Sequence, residues 1–306
     1  MKTYFFLLAL LLSSGLWAQE LTDDPEAARF VTEDIDRFWT VFDAANGQPK
    51  AADLEQGYLS PGSQGVQDFI PNRIESAKKL AKKIKKKQAY YQSIRPYSLR
   101  IRELENEMRA HYRSFKELYP ATVYPEAYFV IGRLNSGGTT GPRSVIMGAE
   151  MFGDPTATPA AKIAFDALPI IVIHELVHYQ QNYGGEDGLL RQTLKEGAAD
   201  FIAAVVTNNP IDQHHLDGYA KPKRKEIWDL FMAQKDDLGW KSYRGWMYGG
   251  NVKLFSDAPN DLGYWLGFQI CHAYYQKATD KKQAIYDILN IRDPQAFLAA
   301  SGYEGE

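Results

Sequence analysis

The sequence contains a single cysteine, Cys271, so no disulfide can form within the chain. A disulfide-stapled fold is therefore excluded, and stability must come from a packed core. A lipid anchor would require a cysteine at an N-terminal cleavage site, and Cys271 lies far from the N-terminus. We expect Cys271 to be buried and to pack as a small hydrophobic residue rather than to act as a nucleophile.

Long hydrophobic runs are absent beyond the N-terminal segment. Residues 1–18 combine Lys2, an apolar core from Tyr4 to Leu12 and a small residue at Ala18, a pattern typical of a cleaved secretory signal. The apolar core is too short to span a bilayer, although a retained membrane anchor is the alternative. We therefore expect an exported protein, periplasmic or extracellular, that is soluble after cleavage and has no stable membrane insertion.

A strong excess of charge of one sign is also lacking. The formal net charge is −3, and loss of Lys2 with the signal would change −3 to −4. This balance argues against a nucleic-acid-binding protein. Residues 19–306 contain neither an internal repeat nor a low-complexity linker, and a chain of this length can bury one large core. We expect a single domain over this range, and the sequence leaves the oligomeric state open.

Apolar residues at helical spacing predict helices through most of the chain. The predicted helices span about 24–46, 73–93, 97–118, 189–206, 226–234 and 261–275, with two short helices within 281–298. Pro96 is expected to break the second of these helices. Strands are predicted only at 128–131 and 144–148, joined by a glycine-rich loop over 136–141. The expected fold class is α+β and mostly helical, with a helical lobe over 24–119, a small sheet over about 120–153 and a helical lobe over 154–306.

Residues 174–178 read HELVH, which matches the H-E-x-x-H motif of zinc hydrolases. On a helix, His174 and His178 lie on one face about one turn apart, so both imidazoles can bind one metal ion. Glu175 is placed to act on a metal-bound water. An apolar run before the motif and two glycines after it indicate a short, buried helix.

A catalytic zinc ion usually has three protein ligands, so a third ligand is needed downstream. Glu196 lies on the predicted helix over 189–206, among small residues at 197–199 that would let this helix approach the motif helix closely. Asp200 falls on the same face and can accept a hydrogen bond from the distal nitrogen of a ligating histidine. A surface carboxylate is the alternative for Glu196, but carboxylates on an otherwise apolar helix are costly without a partner.

H-E-x-x-H followed by E-x-x-x-D on the next helix resembles the gluzincin clan of metallopeptidases. Four further stretches resemble a bacterial envelope family of predicted zinc-dependent proteases related to gliding-motility lipoproteins. They are TEDIDRFW at 32–39, EGAADF at 196–201, DLGYW at 261–265 and DKKQAI at 280–285. The resemblance spans nearly the whole chain after the signal. It implies a zincin-like core, with the small sheet upstream of the zinc-binding helix.

The gluzincin resemblance also implies that the edge strand of this sheet binds the substrate backbone by strand addition. Gly148, Ala149 and Glu150 lie where that edge is expected, and an exposed Glu150 would bind the free amine of a substrate. A solvated carboxylate at the end of a strand is the alternative.

Peptide hydrolysis also needs a donor that stabilises the negative oxygen formed when water adds to the carbonyl group. Tyr264, at the start of the predicted helix over 261–275, is the first choice for this donor. Tyr248, His214 and His215 follow it, and core packing is the alternative for Tyr264.

These residues predict a secreted metallopeptidase with one Zn²⁺ ion and a peptide or protein substrate. Zinc on His174, His178 and Glu196 would lower the pKa of bound water to about 7, and Glu175 would act as general base. Two alternatives remain. One is a non-catalytic structural or assembly factor of the envelope with the same fold, and the other is a zinc-dependent amidase acting on cell-wall peptides.

Overall fold

The computed structural model describes residues 21–210, 213–248 and 252–306. Within them the chain is mostly helical and carries a small sheet, so the predicted α+β class is confirmed. The predicted signal over 1–18 lies outside the described residues. Among the helices that are described, none combines the length and the apolar character that crossing a bilayer requires.

The first third of the described chain is built from short helices. These are α1 (Glu33–Ala44), α2 (Ala51–Leu54), α3 (Gln64–Phe69), α4 (Ala77–Lys86), α5 (Gln88–Arg100) and α6 (Glu105–Leu118). Two single-turn π-helices, Glu55–Leu59 and Ile70–Ile74, extend α2 and α3. Helix α4 begins after Ser76, whose side chain accepts a hydrogen bond from the backbone N–H of Lys79 and so caps the helix.

The predicted break at Pro96 was wrong, because Pro96 lies inside α5. A proline inside a helix costs about 3 kcal/mol through a lost hydrogen bond and a steric clash. Tyr91, Ile94 and Ser98, on either side of Pro96, are all buried on the inner face of the helix. Their burial in the core outweighs that cost, and the chain instead breaks earlier, at Lys87 between α4 and α5.

The small sheet has the strand order β1-β2-β4-β3. Its strands are β1 (Phe30–Val31), β2 (Glu126–Val130), β3 (Gly138–Thr140) and β4 (Ser144–Gly148). Strands β1, β2 and β4 run parallel, whereas β3 pairs antiparallel with β4. A separate pair of strands, β5 (Phe152–Gly153) and β6 (Ile163–Ala164), follows.

Two predictions about this region were therefore wrong. The helix expected over 24–46 begins only at Glu33, because Phe30 and Val31 pair with β2. The glycine-rich stretch expected to be a loop contains β3, which forms the edge of the sheet. Because β3 covers β4, Gly148 and the residues after it do not lie at the edge.

The rest of the chain is a set of packed helices. They are α7 (Leu168–Gln180), α8 (Leu189–Val206), α9 (Asp217–Ala220), α10 (Arg224–Gln234), α11 (Leu262–Lys277), α12 (Lys281–Leu289) and α13 (Pro294–Ser301). Helix α7 carries the H-E-x-x-H motif and packs against β3, β4 and α8. Helix α8 has the bounds that the sequence predicted, and it contacts α11 even more extensively than it contacts α7.

Glycines bring α8 and α11 into backbone contact. A Cβ atom on Gly197 would overlap the backbone of Gly267, and one on Gly267 would overlap the carbonyl oxygen of Thr193. The prediction that Gly197 serves the approach to the motif helix was therefore wrong, since this glycine faces α11. The close crossing still positions the site, because it fixes the helix that carries Glu196.

Apolar side chains from both ends of the described chain form one contiguous core, from Ile35 on α1 to Leu298 on α13. Cys271 is fully buried within it, as expected for a small hydrophobic residue. Burial also raises the pKa of its thiol, which keeps the sulfur protonated and unreactive.

Candidate metal centre

Three ligand atoms converge between α7 and α8. The Nε2 atoms of His174 and His178 lie 3.0 Å apart. Glu196 Oε2 lies 3.1 Å from the His178 nitrogen and 3.7 Å from the His174 nitrogen. Ligands placed tetrahedrally at the usual zinc distances are about 3.3 Å from one another. The three atoms therefore have the spacing of three corners of a zinc coordination tetrahedron.

The opposite nitrogens of both rings are held by acceptors. His174 Nδ1 lies 2.7 Å from Asp200 Oδ1, and His178 Nδ1 lies 2.9 Å from Gln181 Oε1. The Gln181 amide nitrogen donates to the carbonyl oxygen of Lys195 at 2.7 Å, which fixes the orientation of that amide. Because carboxylate and amide oxygens only accept, each Nδ1 carries the proton in the neutral ring. Each Nε2 then presents a lone pair to the centre.

Two imidazole lone pairs and a carboxylate oxygen repel one another unless a cation lies between them. The directions in which the pKa values of His174 and Glu196 are shifted agree with a cluster that favours a positive charge at its centre. Burial alone would lower the pKa of His174, but hydrogen bonds and charges from Asp200 and Glu196 outweigh it and raise that pKa well above its usual value. Burial would likewise raise the pKa of Glu196, yet the charges and hydrogen bonds of His178 and His174 hold it well below the usual range. A metal ion or, in its absence, a proton satisfies this cluster.

Glu175 is buried beside the edge strand. A Cβ atom on Gly138 would lie 2.5 Å from Glu175 Cγ, so the β3 backbone passes directly against this side chain. Burial raises the pKa of the Glu175 carboxyl, and the neighbouring His178 and His174 oppose that rise. The carboxylate thus lies next to the ligand cluster and against the edge strand β3.

Tyr264 lies beside the cluster, as the sequence predicted. Its ring is nearly parallel to that of His174, with 6.2 Å between ring centroids. Burial raises the pKa of its phenol well above the usual value, and the nearby charge of Glu196 adds to this rise. The phenol therefore remains a hydrogen-bond donor at every physiological pH.

Of the two adjacent histidines, His214 has an enclosed side chain and His215 is exposed. His214 Nε2 contacts the second oxygen of Asp200 at 3.1 Å, and its side chain is only 4% exposed. The His215 ring lies against that of His214, with 4.3 Å between centroids. His214 therefore supports the carboxylate that orients His174, which differs from the donor role considered for it.

The expectation for Glu150 was wrong. This residue is fully buried, and its carboxylate accepts hydrogen bonds from the backbone N–H groups of Gly132 at 2.8 Å and Leu134 at 2.9 Å. Burial raises its pKa to about 7, against the pull of these two bonds. An enclosed carboxyl with this bonding pattern holds a turn in place and cannot meet the amine of a substrate.

The family model of the gliding motility protein GldB matches residues 20–305. The chain belongs to this gliding-motility lipoprotein family. No curated protein and no solved structure matches the chain. The predicted relation to gliding-motility lipoproteins is thereby confirmed, and an envelope location agrees with it. The predicted gluzincin activity and zincin-like core receive no support from these comparisons and stay predictions.

Three further side chains of this GldB-family protein complete the centre. Tyr248 donates to Glu196 Oε1 at 2.7 Å, and Gln192 donates to the same oxygen at 2.8 Å, which leaves Oε2 for the histidines. Gln192 lies one helical turn before Glu196, so the four-residue spacing on one helix could have predicted their contact. Gln181 lies three residues after His178, and nothing in the sequence marks its contact with that ring. Tyr248 was considered only as an oxyanion donor, and no local pattern places it on Glu196.

Proposed function

We propose that this member of the GldB family binds one zinc ion through His174, His178 and Glu196 and hydrolyses peptide bonds in the cell envelope. One observation carries the proposal: two imidazole lone pairs and a carboxylate oxygen converge, with Asp200 and Gln181 fixing both rings from behind. A bound zinc ion supplies Lewis-acid activation of water near neutral pH. The donor set of two imidazoles and one carboxylate is one that zinc accepts.

Glu175 is the proposed general base. It follows His174 in the same helix, and its buried carboxyl has a pKa above the usual value, which suits a group that takes up a proton and then releases it. In this proposal it accepts a proton from the attacking water and delivers it to the leaving amine. Tyr264 is the proposed donor to the developing oxyanion, because the Tyr248 hydroxyl already donates to Glu196.

The edge strand β3 is the proposed substrate platform, in place of Gly148 to Glu150. Among the described residues, β3 pairs with β4 along one side only. The Gly138 carbonyl already accepts a hydrogen bond from the Ser136 hydroxyl at 2.7 Å, so the other outward backbone groups of β3 are those proposed to pair with an extended peptide. A peptide paired there runs past Gly138 and hence past Glu175. Strand addition in this position would bring a scissile carbonyl toward the histidine pair.

A second candidate function is that of a non-catalytic envelope factor in gliding motility. The family description, which names a motility protein and no peptidase, favours it. In that case a metal ion at the same residues would act as a structural clamp that joins α7 to α8. Both candidates predict metal binding, and they differ in whether Glu175 performs chemistry.

Metal analysis combined with a cleavage assay separates the candidates. Wild type and Glu175→Gln are assayed for zinc content, then for hydrolysis of a peptide library and of a muropeptide panel. Glu117→Gln, an exposed change on α6, serves as the matched control. We expect about one zinc ion per chain in all three proteins and turnover in all but Glu175→Gln.

Full activity of Glu175→Gln would remove the role assigned to this residue. Zinc binding without turnover on either panel would favour the structural clamp. Cleavage confined to muropeptides would identify the cell-wall amidase.

A further inference from the structure

A cavity of about 410 Å³ opens beside the edge strand β3. It is lined by Asp68, Asn72, Arg73, Thr139 and Thr140. Two of these residues belong to β3 itself, and Arg73 belongs to the π-helical turn Ile70–Ile74 that follows α3. The cavity is therefore continuous with the proposed substrate platform, but none of the metal-binding residues lines it.

Arg73 is held in place there but lacks an acidic partner. Its backbone carbonyl accepts hydrogen bonds from Arg133 at 2.8 Å and Asn135 at 3.1 Å. The guanidinium makes only one long contact, 3.4 Å to the Thr139 hydroxyl, and its Nε atom is buried without a hydrogen-bond partner. No ion pair joins Arg73 to a carboxylate within residues 21–210, 213–248 and 252–306. A buried donor without an acceptor costs about 1–3 kcal/mol, so such a group calls for an external acceptor.

The one acid in the cavity does not neutralise this arginine. Asp68 Oδ2 accepts a hydrogen bond from the Ser144 hydroxyl at 2.7 Å, and Oδ1 accepts one from the Gln64 amide at 2.7 Å. Asp68 is thus held by Ser144 and Gln64 and forms no ion pair with Arg73 among the described residues. Arg73 is the one cation in the lining, and most of its N–H donors lack an acceptor in the described part of the chain, which favours an anionic ligand.

Arg73 and Glu175 flank neighbouring residues of the same strand. Arg73 contacts Thr139, whereas Glu175 packs on Gly138. Successive strand residues are about 3.3 Å apart and face opposite sides. Burial raises the pKa of Glu175, whereas the two histidines and, more weakly, the positive charge of Arg73 lower it. A peptide laid along β3 would meet both residues at once.

We propose that Arg73 anchors a carboxylate carried by an extended peptide that pairs with β3. The carboxylate is either the C-terminus of the peptide or an acidic side chain, and the planar guanidinium binds either one as a two-pronged fork. This inference deepens the proposed function, on which it rests, by naming the substrate class. It makes Arg73 a determinant of specificity that takes no part in the chemistry.

Direct binding of three acetylated peptides tests the assignment. One peptide has a free C-terminal carboxylate and no acidic side chain, the second has a C-terminal amide and one glutamate, and the third is neutral throughout. Affinities are measured by calorimetry for wild type, Arg73→Gln, Arg73→Lys and Arg113→Gln. The last variant removes the same charge from an exposed site on α6, and thermal unfolding checks that each variant is folded.

We expect wild type and Arg113→Gln to bind at least one acidic peptide tenfold or more tightly than the neutral one. Arg73→Gln should lose that preference, and Arg73→Lys should keep only part of it because an ammonium group lacks the fork. Whichever acidic peptide shows the effect identifies the source of the carboxylate. Equal binding of acidic and neutral peptides by wild type, or an unchanged preference in either Arg73 variant, would overturn the inference.

The same titrations in chelator-treated Glu196→Gln separate this inference from the hydrolase proposal. A preference that depends on Arg73 and persists without metal or turnover would support the carboxylate site even if the hydrolase is wrong. Turnover by wild type with no dependence of binding on Arg73 would refute the carboxylate site and leave the hydrolase standing.

Discussion

At the scale of single residues, the hydrogen bond at Nδ1 of each histidine ring decides whether its Nε2 atom has a lone pair available for a metal ion. His174 and His178 were identified by their spacing alone. Their chemistry depends on Asp200 and Gln181, which keep the protons on Nδ1 and leave both Nε2 atoms free. The ring orientations that the proposed metal site requires are therefore set by contacts that the motif does not contain.

Asp200→Asn should weaken metal binding 10- to 100-fold while leaving the chain folded. The substitution removes the charge that outweighs burial in raising the pKa of His174, and it allows an N–H group to face the ring. Zinc affinity measured by chelator competition checks this. Asp229→Asn, an exposed change on α10, is the control, and an unaltered affinity in Asp200→Asn would show that the aspartate does not orient the ligand.

Gly138→Ala should impair turnover more than it impairs zinc binding. The added methyl group would meet the Glu175 side chain, with 2.5 Å to its Cγ, so the carboxylate or strand β3 must shift. Crowding of this kind typically costs about 1–3 kcal/mol in stability. Urea unfolding and the cleavage assay measure the two effects. Gly218→Ala, where the new methyl group has no neighbour within 4 Å, should be unaffected in both; identical behaviour of the two variants would contradict the packing described.

Glu150 should make stability depend on pH in a direction opposite to that of most carboxylates. Its folded-state pKa is about 7, against 4.5 for an unperturbed glutamate, so the folded state binds the proton more tightly. The contribution is fully present below pH 4.5 and is lost as the pH rises to about 7, with a limiting slope of about 1.4 kcal/mol per pH unit.

Denaturant unfolding of wild type and Glu150→Gln between pH 4.5 and 7.5 tests this linkage. In the glutamine variant, the free energy of unfolding should lack the decrease with rising pH that titration of Glu150 causes. The variant should also be less stable than wild type at pH 4.5. The hydroxyl oxygen of the protonated carboxyl can still accept a hydrogen bond from a backbone N–H group, whereas the amide N–H₂ of glutamine cannot. Parallel pH profiles for the two proteins would rule out the linkage.

At the scale of elements, the centre depends on how closely three helices pack. Helix α8 holds Glu196 against α7 on one side and meets α11 through Gly197 and Gly267 on the other. Helix α11 in turn places Tyr264 beside His174. The position of α8, which carries Glu196, is therefore set in part by α11, a helix that contributes none of the three candidate ligands.

Gly197→Ala should destabilise the protein by about 3 kcal/mol and lower its zinc affinity. Its methyl group would overlap the backbone of Gly267, which cannot move aside as a flexible side chain can. Thermal unfolding and chelator competition report the two effects. A variant with wild-type stability would mean that the two helices are not in backbone contact.

The sequence predicted those elements and residues that depend on local periodicity. The bounds of α8 and β4, and the pairing of His174 with His178, all rest on repeats within one element. Strand β3 was missed because three residues rich in glycine and threonine carry no such repeat, and only pairing with β4 makes them a strand. The contacts of Tyr248 and Arg73 were unpredictable for the same reason, since each joins segments far apart in the chain.

At the scale of the whole molecule, one core connects the N-terminal helices to the candidate metal centre. The sheet lies between them, with α3 and α1 packed on its strands and α7 packed on β3 and β4. The edge strand is thus flanked by Arg73 from the N-terminal helices and by Glu175 from α7. In this arrangement the proposed peptide groove lies next to the candidate metal centre.

Zinc-edge anomalous diffraction from crystals of the purified protein tests the central claim most directly. We predict one anomalous peak within bonding distance of His174 Nε2, His178 Nε2 and Glu196 Oε2, and no such peak in crystals of a Glu196→Ala variant. An empty position between these three atoms in zinc-soaked crystals, or a Glu196 side chain turned away from both rings, would contradict the account.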